Sequence, residues 1–233
     1  MRRLKLEILS QEELKQIHNA SLRILEEKGV RVLETEGLKL LHDVGAKVDF
    51  DKQIAKIPSH LVEDSLKKTP NKFELYNRDG QLAMTMEGYN TYYGGGGFAT
   101  YFDDYASGKI RYATKEDQIN HFILGDALPN YEFMHGNCYP SDVPRETSDR
   151  YMWALGFIHQ TKHLIVDTYG RDSVKDVIDM AVAIRGSLEE LQKRPIFCVD
   201  GTTLSPLTID TNQVQHMMEA AKNRLPIAVH SGP

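Results

Sequence analysis

The sequence predicts an α/β protein of the (β/α)8 TIM-barrel type, of which it supplies the first half. Three observations carry this. From about residue 131, strand-like runs alternate with helical patterns, the runs falling at 131–138, 162–167, 194–200 and 225–233. The last three are almost continuous in apolar and β-branched residues, as strands of a parallel sheet covered on both faces are. Finally, the count stops at about four βα units where a closed barrel needs eight, so the expectation is a barrel truncated on its C-terminal side. An open doubly wound sheet is the runner-up, but the Gly-rich first turn of that architecture is missing.

Three regions are expected: a helical N-terminal layer over 1–70, a β-meander or pair of hairpins over 71–112, and the half barrel over 113–233. Ser10-Gln-Glu-Glu13 is a capping box opening a helix in which Leu14, Ile17, Leu22, Ile24 and Leu25 keep helical spacing up to Gly29. A second helix is expected from about Thr35 to His42, ending at Gly45, and a third opens at Ile57-Pro-Ser59 and closes before Pro70. From Lys72 to Tyr112 short β-forming runs are separated by Arg78-Asp-Gly80, Gly88, Gly94 to Gly97 and Ser107-Gly108. Thr114-Lys-Glu-Asp117 caps the next helix. Later helices are expected at about 147–161, 174–185, stopped by Gly186, and 210–223.

Composition narrows the function. With 233 residues and 41% hydrophobic content there is enough apolar material for a core. A net charge of −5 argues against a nucleic-acid partner. No run is long and apolar enough for a membrane span, and the N-terminus lacks the apolar stretch of a secretory signal, so a cytoplasmic protein is expected. Cys138 and Cys198 make no disulfide framework and read as small core residues.

Reactive groups of a parallel barrel gather where its strands end. Here those ends offer Asn137, Tyr139 and Asp142; Asp167 and Thr168; Asp200, Thr202 and Ser205; and His230 and Ser231. An acid at such a turn also serves as a helix cap, but its recurrence at equivalent places favours a site. His230 suits a general base, a carboxylate binder or a metal ligand. His135 is expected to be internal to its strand, and His159 and His163 to lie at the opposite end. No zinc spacing, P-loop or Ser or Cys nucleophile signature is present, and no metal site is expected. Gly94 to Gly97 reads as a flexible hairpin loop, or as backbone that lets a ligand approach closely. The aromatics around it, Tyr92 and Tyr93 with Tyr89, Phe98, Tyr101, Phe102 and Tyr105, favour the second version, because aromatic faces attract quaternary ammonium groups.

Ser10 to Val32, Ile57-Pro-Ser-His-Leu-Val-Glu63, Leu75-Tyr-Asn-Arg-Asp79, the glycine run, Arg111-Tyr-Ala-Thr-Lys-Glu-Asp117, Tyr139-Pro-Ser-Asp-Val-Pro144, Ser205-Pro-Leu207 and Leu225-Pro-Ile227 together resemble, in order, the trimethylamine methyltransferase superfamily. The resemblance covers essentially the whole chain, though no single piece is a catalytic signature. It implies a corrinoid-dependent methyltransferase on a (β/α)8 barrel, moving a methyl group from a methylated amine to the Co(I) of a separate corrinoid protein. The corrinoid would be carried by that cognate partner, with none bound tightly here. The larger branch of the family, which lacks pyrrolysine and includes glycine betaine methyltransferases, is expected on numbers alone. The pyrrolysine position of the other branch falls in the family's second half. Tyr92, Tyr93, Asn137, Tyr139, Asp142, Asp200 and His230 are the expected substrate-binding residues. Two other readings stand beside this one: a non-catalytic truncated half barrel that self-associates through its open sheet edge, and a TIM-barrel enzyme of unrelated chemistry.

Overall fold

The computed structural model describes residues 7–97, 99 and 101–231; Phe98 of the aromatic group and the closing turn at Gly232 and Pro233 lie outside them. The chain divides into two compact units: Met1–Thr69 with Leu204–Ile209, and Pro70–Thr203 with Asp210–Pro233. No helix among the described residues is long and apolar enough to cross a membrane.

In the first unit, α1 (Gln11–Glu27) starts at the expected capping box, Ser10 and Glu13 each bonding the other's backbone. It ends at Gly29, whose φ of 83° only glycine adopts freely, and where a Cβ would stand 2.6 Å from the Ala55 carbonyl oxygen. Then follow β1 (Val30–Val32), α2 (Thr35–Asp43), β2 (Lys47–Asp49), β3 (Ile54–Lys56) and α3 (Ser59–Lys68). α1 and α3 are tied by His18 Nε2 to Glu63 Oε1 at 2.7 Å and by Ser59 Oγ, which donates to Glu26 Oε2 at 2.6 Å. The sequence led us to expect a wholly helical layer, but three short strands run between its helices. β3 lies between β1 and β2, antiparallel to both, and Thr208–Ile209 pairs parallel with β1 on its other side. Strands of two or three residues are too short to show a period of two.

The second unit opens with the antiparallel hairpin β4 (Lys72–Tyr76) and β5 (Leu82–Glu87). After β6 (Gly94–Gly95) comes a second hairpin, β7 (Tyr101–Asp104) and β8 (Lys109–Tyr112). The remaining order is α4 (Lys115–Ala127), β9 (Phe133–His135), α5 (Ser148–His159), β10 (His163–Val166), α6 (Arg171–Arg185), α7 (Leu188–Lys193), β11 (Phe197–Thr203), β12 (Thr208–Ile209, in the first unit), α8 (Thr211–Lys222) and β13 (Ile227–Ser231). Strands β6, β9, β10, β11 and β13 form one all-parallel sheet in that order, so successive strands are neighbours.

One face of this sheet is covered by helices. Met134, Leu164, Val166, Phe197 and Val199 join Phe122, Trp153, Val177 and Leu191 in a single buried cluster. Burying side chains of this size contributes roughly 1.5–3 kcal/mol each before entropy is counted. Trp153 is fully buried, and its Nε1 donates to the Asp167 carbonyl at 2.6 Å, locking the loop after β10 to α5.

The glycine run departs from its expected place in a hairpin loop. Gly94 and Gly95 pair parallel with Phe133 and Met134 as the first strand of the sheet. Glycine is needed because the backbones and side chains approach so closely. A Cβ on Gly94 would stand 2.4 Å from the Phe133 ring, and one on Gly96, at φ 123°, 2.4 Å from His135 Cβ and 2.6 Å from the His135 carbonyl oxygen. Gly97 has φ 133° but open space around it. Gly96→Ala should therefore cost clearly more than Gly97→Ala, by roughly 1–3 kcal/mol in urea unfolding, since only the first adds a backbone collision to the conformational strain. Equal losses would show that β6 is not held against β9 as described.

Candidate functional site

Residues alternate between faces along a strand, and neighbouring parallel strands keep partners on the same face. His135 pairs in register with Ile165, Ile165 with Cys198, Asp200 with Ala228 and Thr202 with His230. The face away from the helices therefore carries two zones. Toward the amino ends it is mainly apolar. A cavity of about 510 Å³ there is lined by Phe133, His163, Ile165 and Cys198 from the sheet and by Leu75 and Met84 from the first hairpin. Toward the carboxyl ends the same face becomes ionisable.

Asp200 is the centre of that polar zone and is only 5% exposed. Its Oδ1 lies 2.9 Å from His230 Nδ1, and its Oδ2 3.4 Å from His135 Nε2. His230 Nε2 is 3.2 Å from Thr202 Oγ1. One strand over, the Asp167 carboxylate accepts from the Thr168 amide at 3.0 Å, the Tyr139 hydroxyl at 3.3 Å and Gln213 Nε2 at 3.4 Å. Burial, and then the neighbouring charge of Asp200, push the Asp167 carboxyl up to about 6. Gln213 Oε1 accepts from the Thr202 amide at 2.6 Å and faces His216 Nε2 at 3.1 Å. That nitrogen therefore carries the proton, and burial keeps the fully enclosed His216 imidazole below its usual range.

A second cavity, of about 630 Å³, lies beside this cluster. Tyr112, Tyr139, Tyr169, Ser141, Arg145 and Ser148 line it. The Tyr139 and Tyr169 ring centres are 5.0 Å apart at 40°. Burial, and the Asp167 charge after it, hold the Tyr139 phenol far above its usual range, so it stays neutral.

The structure brings Tyr139, Asp200 and His230 together. Asn137 sits two residues past β9, its amide donating to Gln118 Oε1 at 3.3 Å and its carbonyl accepting from Ala99. Three expected site residues lie elsewhere. Tyr92 lines the apolar cavity, and its hydroxyl accepts from the Thr85 amide and donates to the Thr85 carbonyl of β5. Tyr93 is 67% exposed, just before β6. Asp142 accepts from the Lys115 amide at 2.9 Å, completing the N-terminus of α4, which is the capping role open to any acid at such a turn. His135, expected to be internal, reaches Asp200 instead, and Gln213 and His216 enter from α8, a helix whose pattern carries no chemical signal. Both thiols are buried, burial pushing Cys138 up to about 11 and Cys198 up to about 12. Among the described residues no group of three or more His, Cys, Asp and Glu converges to hold a metal ion.

A parallel sheet with ionisable groups at its strand ends defines an enzyme-like α/β scaffold; sequence relatives define which. The family model described as trimethylamine methyltransferase (MTTB) matches residues 2–232, and the chain belongs to that family. It is 27% identical over 218 residues to the trimethylamine methyltransferase MttB of Desulfitobacterium hafniense (strain DSM 10664 / DCB-2), covering 94% of this chain and 44% of the relative. Against the MttB of Methanosarcina thermophila it is 27% identical over 97% of this chain and 48% of the relative. Against the glycine betaine methyltransferase of Desulfitobacterium hafniense (strain Y51) the figures are 23%, 94% and 45%. The chain thus spans about half the length of the curated relatives it matches.

The raised carboxyl sets a stability test. Asp167 binds its proton more tightly folded than unfolded, so its contribution is fully present below about pH 4 and is lost as pH rises through about 6. Asp167→Asn removes that loss. Between pH 4 and pH 7.5 the difference in unfolding free energy between variant and wild type should move in the variant's favour, by up to roughly 2–3 kcal/mol. A pH-independent difference would mean that Asp167 is not raised.

Proposed function

We propose that this chain supplies the amine-binding side of a methyltransferase that moves a methyl group from a methylated amine to the Co(I) of a corrinoid borne by a separate protein. The fold belongs to the same proposal: five parallel strands that neighbour one another in chain order, with helices over one face, follow the progression of the first part of a (β/α)8 barrel. The family supports methyl transfer. The observation that carries the reading is the pair of carboxylates, the partly buried Asp167 and the buried Asp200, at the carboxyl ends of adjacent strands beside a tyrosine-lined cavity.

The chemistry asks for little proton transfer. In a quaternary donor the C–N bond breaks with its electron pair going to nitrogen, the new bond to carbon forms from the acceptor's electron pair, and a neutral tertiary amine departs. The protein has to hold a cation, aim one methyl group at the acceptor and exclude water, which is catalysis by positioning. The positive charge on nitrogen fades as the reaction proceeds, so a tight ion pair to the substrate would stabilise the ground state more than the transition state. Here the carboxylates are already occupied. Asp200 faces two imidazoles, and Asp167 accepts from a phenol, an amide and Gln213. What they offer the ammonium is a diffuse negative field, with aromatic faces at close range.

The test is methyl transfer to the reduced cognate corrinoid protein, followed by its visible spectrum, with trimethylamine and glycine betaine as donors. The wild-type chain should methylate the corrinoid, and Asp200→Asn should lower kcat/KM at least about tenfold while circular dichroism stays native. No transfer by a natively folded chain would favour a second reading, a non-catalytic half barrel that self-associates. One observation favours it: among the described residues β13 lies at one side of the sheet with no further strand beside it, and its Val229 is 66% exposed. Sedimentation velocity separates the two, because that reading requires a dimer or larger.

A further inference from the structure

We infer that the first unit carries an anion site for an oligophosphate, a ligand of two or three linked phosphates, in a cavity walled by four lysines. Methyl transfer makes no use of this cavity, so the two readings stand or fall separately.

The cavity, of about 580 Å³, is lined by Lys28, Lys47, Lys52 and Lys56 together with His42 and Asp49. Lys28 caps the C-terminus of α1, Lys47 opens β2, Lys52 lies in the turn that follows and Lys56 closes β3. In a chain of net charge −5, four ammonium groups thus meet one carboxylate in a single hollow. That carboxylate is already engaged: Asp49 accepts from the Lys52 amide at 3.0 Å and lies 3.5 Å from Lys52 Nζ. Lys28, Lys47 and Lys56 make no side-chain hydrogen bond or ion pair among the described residues. Two further acids have partners of their own. Glu26, within reach of the Lys47 charge, accepts from Ser59 Oγ, and Asp43 faces His42 at 3.4 Å.

Strand register supplies an independent observation. Lys47 and Lys56 are direct cross-strand partners in the antiparallel pair β2 and β3. Like charges directly opposite one another destabilise a sheet, and opposite charges stabilise it. Two hairpins of the second unit follow that rule. β4 and β5 set Lys72 opposite Glu87, which pair at 3.5 Å, and β7 and β8 set Asp104 opposite Lys109. β2 and β3 depart from it. Both of their lysines are exposed, so packing does not dictate them. An anion held between the two ammoniums accounts for a pairing that weakens the hairpin and gives the core nothing.

The lysines also select the kind of anion. An ammonium is a compact point charge that meets phosphate oxygens from any direction, whereas the fork of a guanidinium is the better match for a single carboxylate. A hollow lined by one sign of charge focuses its field on a ligand inside. The cavity has room for more than one phosphate, and linked phosphates can span several ammoniums at once. The His42 ring, 5.8 Å from the Phe50 ring, adds a flat surface beside the lysines. Free oligophosphate and a nucleoside triphosphate therefore both carry the required chemistry.

Isothermal titration of the chain with tripolyphosphate, pyrophosphate, inorganic phosphate, citrate and ATP tests the site. Tripolyphosphate should bind below roughly millimolar order, at least about tenfold tighter than inorganic phosphate or citrate, and more weakly as salt is raised. ATP tighter than tripolyphosphate identifies a nucleotide as the source of the phosphates, and ATP weaker than tripolyphosphate identifies free oligophosphate. Lys56→Glu should weaken tripolyphosphate at least about tenfold and yet raise the urea midpoint of the ligand-free chain, because it sets a carboxylate opposite Lys47. Opposite signs of binding and stability keep misfolding from imitating the result. Lys28→Gln should weaken binding without altering the midpoint. Arg23→Gln, on the exposed surface of α1 and outside the cavity lining, should leave binding unchanged. Three results would each overturn the inference: no tripolyphosphate binding at millimolar order, citrate or inorganic phosphate bound as tightly as tripolyphosphate, or tripolyphosphate binding that survives both Lys56→Glu and Lys28→Gln.

Discussion

A carboxylate held back from ionisation beside a second, buried one organises the polar end of this molecule. Asp167, partly buried, and Asp200, buried, stand at the carboxyl ends of adjacent parallel strands, and burial together with the Asp200 charge makes ionisation of Asp167 harder. Unsatisfied, such a pair would cost several kcal/mol. The surroundings answer that cost donor by donor. β9 brings His135 and β13 brings His230; the loop after β9 brings Tyr139, and α8 brings Gln213. Each donor is placed by the register of the sheet or by a helix packed on it, so the helix-covered core beneath, with Trp153 bonded to the Asp167 carbonyl, sets the geometry of the polar end.

The order of elements was legible because hydrophobic runs and punctuation agree. The capping boxes at Ser10 and Thr114 and the stop at Gly186 mark real helix ends; three of the expected strand runs contain β9, β10 and β13, and the run at 194–200 opens β11, which continues to Thr203 through residues expected as loop. The misses have specific causes. β6 is made of glycine, which has the weakest strand preference and here serves close backbone approach instead. α7 is short, yet its start was readable: Ser187 Oγ accepts from the Glu190 amide, a Ser-x-x-Glu signal like that at Ser10.

The site was half legible. Strand-end reasoning named Tyr139, Asp167, Asp200 and His230, which the fold gathers into one polar cluster, because side chains at the carboxyl ends of neighbouring parallel strands converge. The aromatics beside the glycine run suggested Tyr92 and Tyr93, whereas the cavity is lined by Tyr112, Tyr139 and Tyr169, which come together only when the end of β8 meets the loops after β9 and β10. His135 was set aside for lying early in its run. In the fold it is the last residue of a three-residue strand, and which residue ends a strand follows from register, which one sequence does not show.

The strand pairing of Arg31 with Thr208 joins positions 177 residues apart in the chain (208 − 31). A ribosome delivers β1 early and its parallel neighbour β12 only after β11 has been made. The sheet of the first unit therefore stays one strand short until nearly all of the second unit has left the exit tunnel, so the N-terminal unit is the first to be synthesised but cannot be the first to be finished.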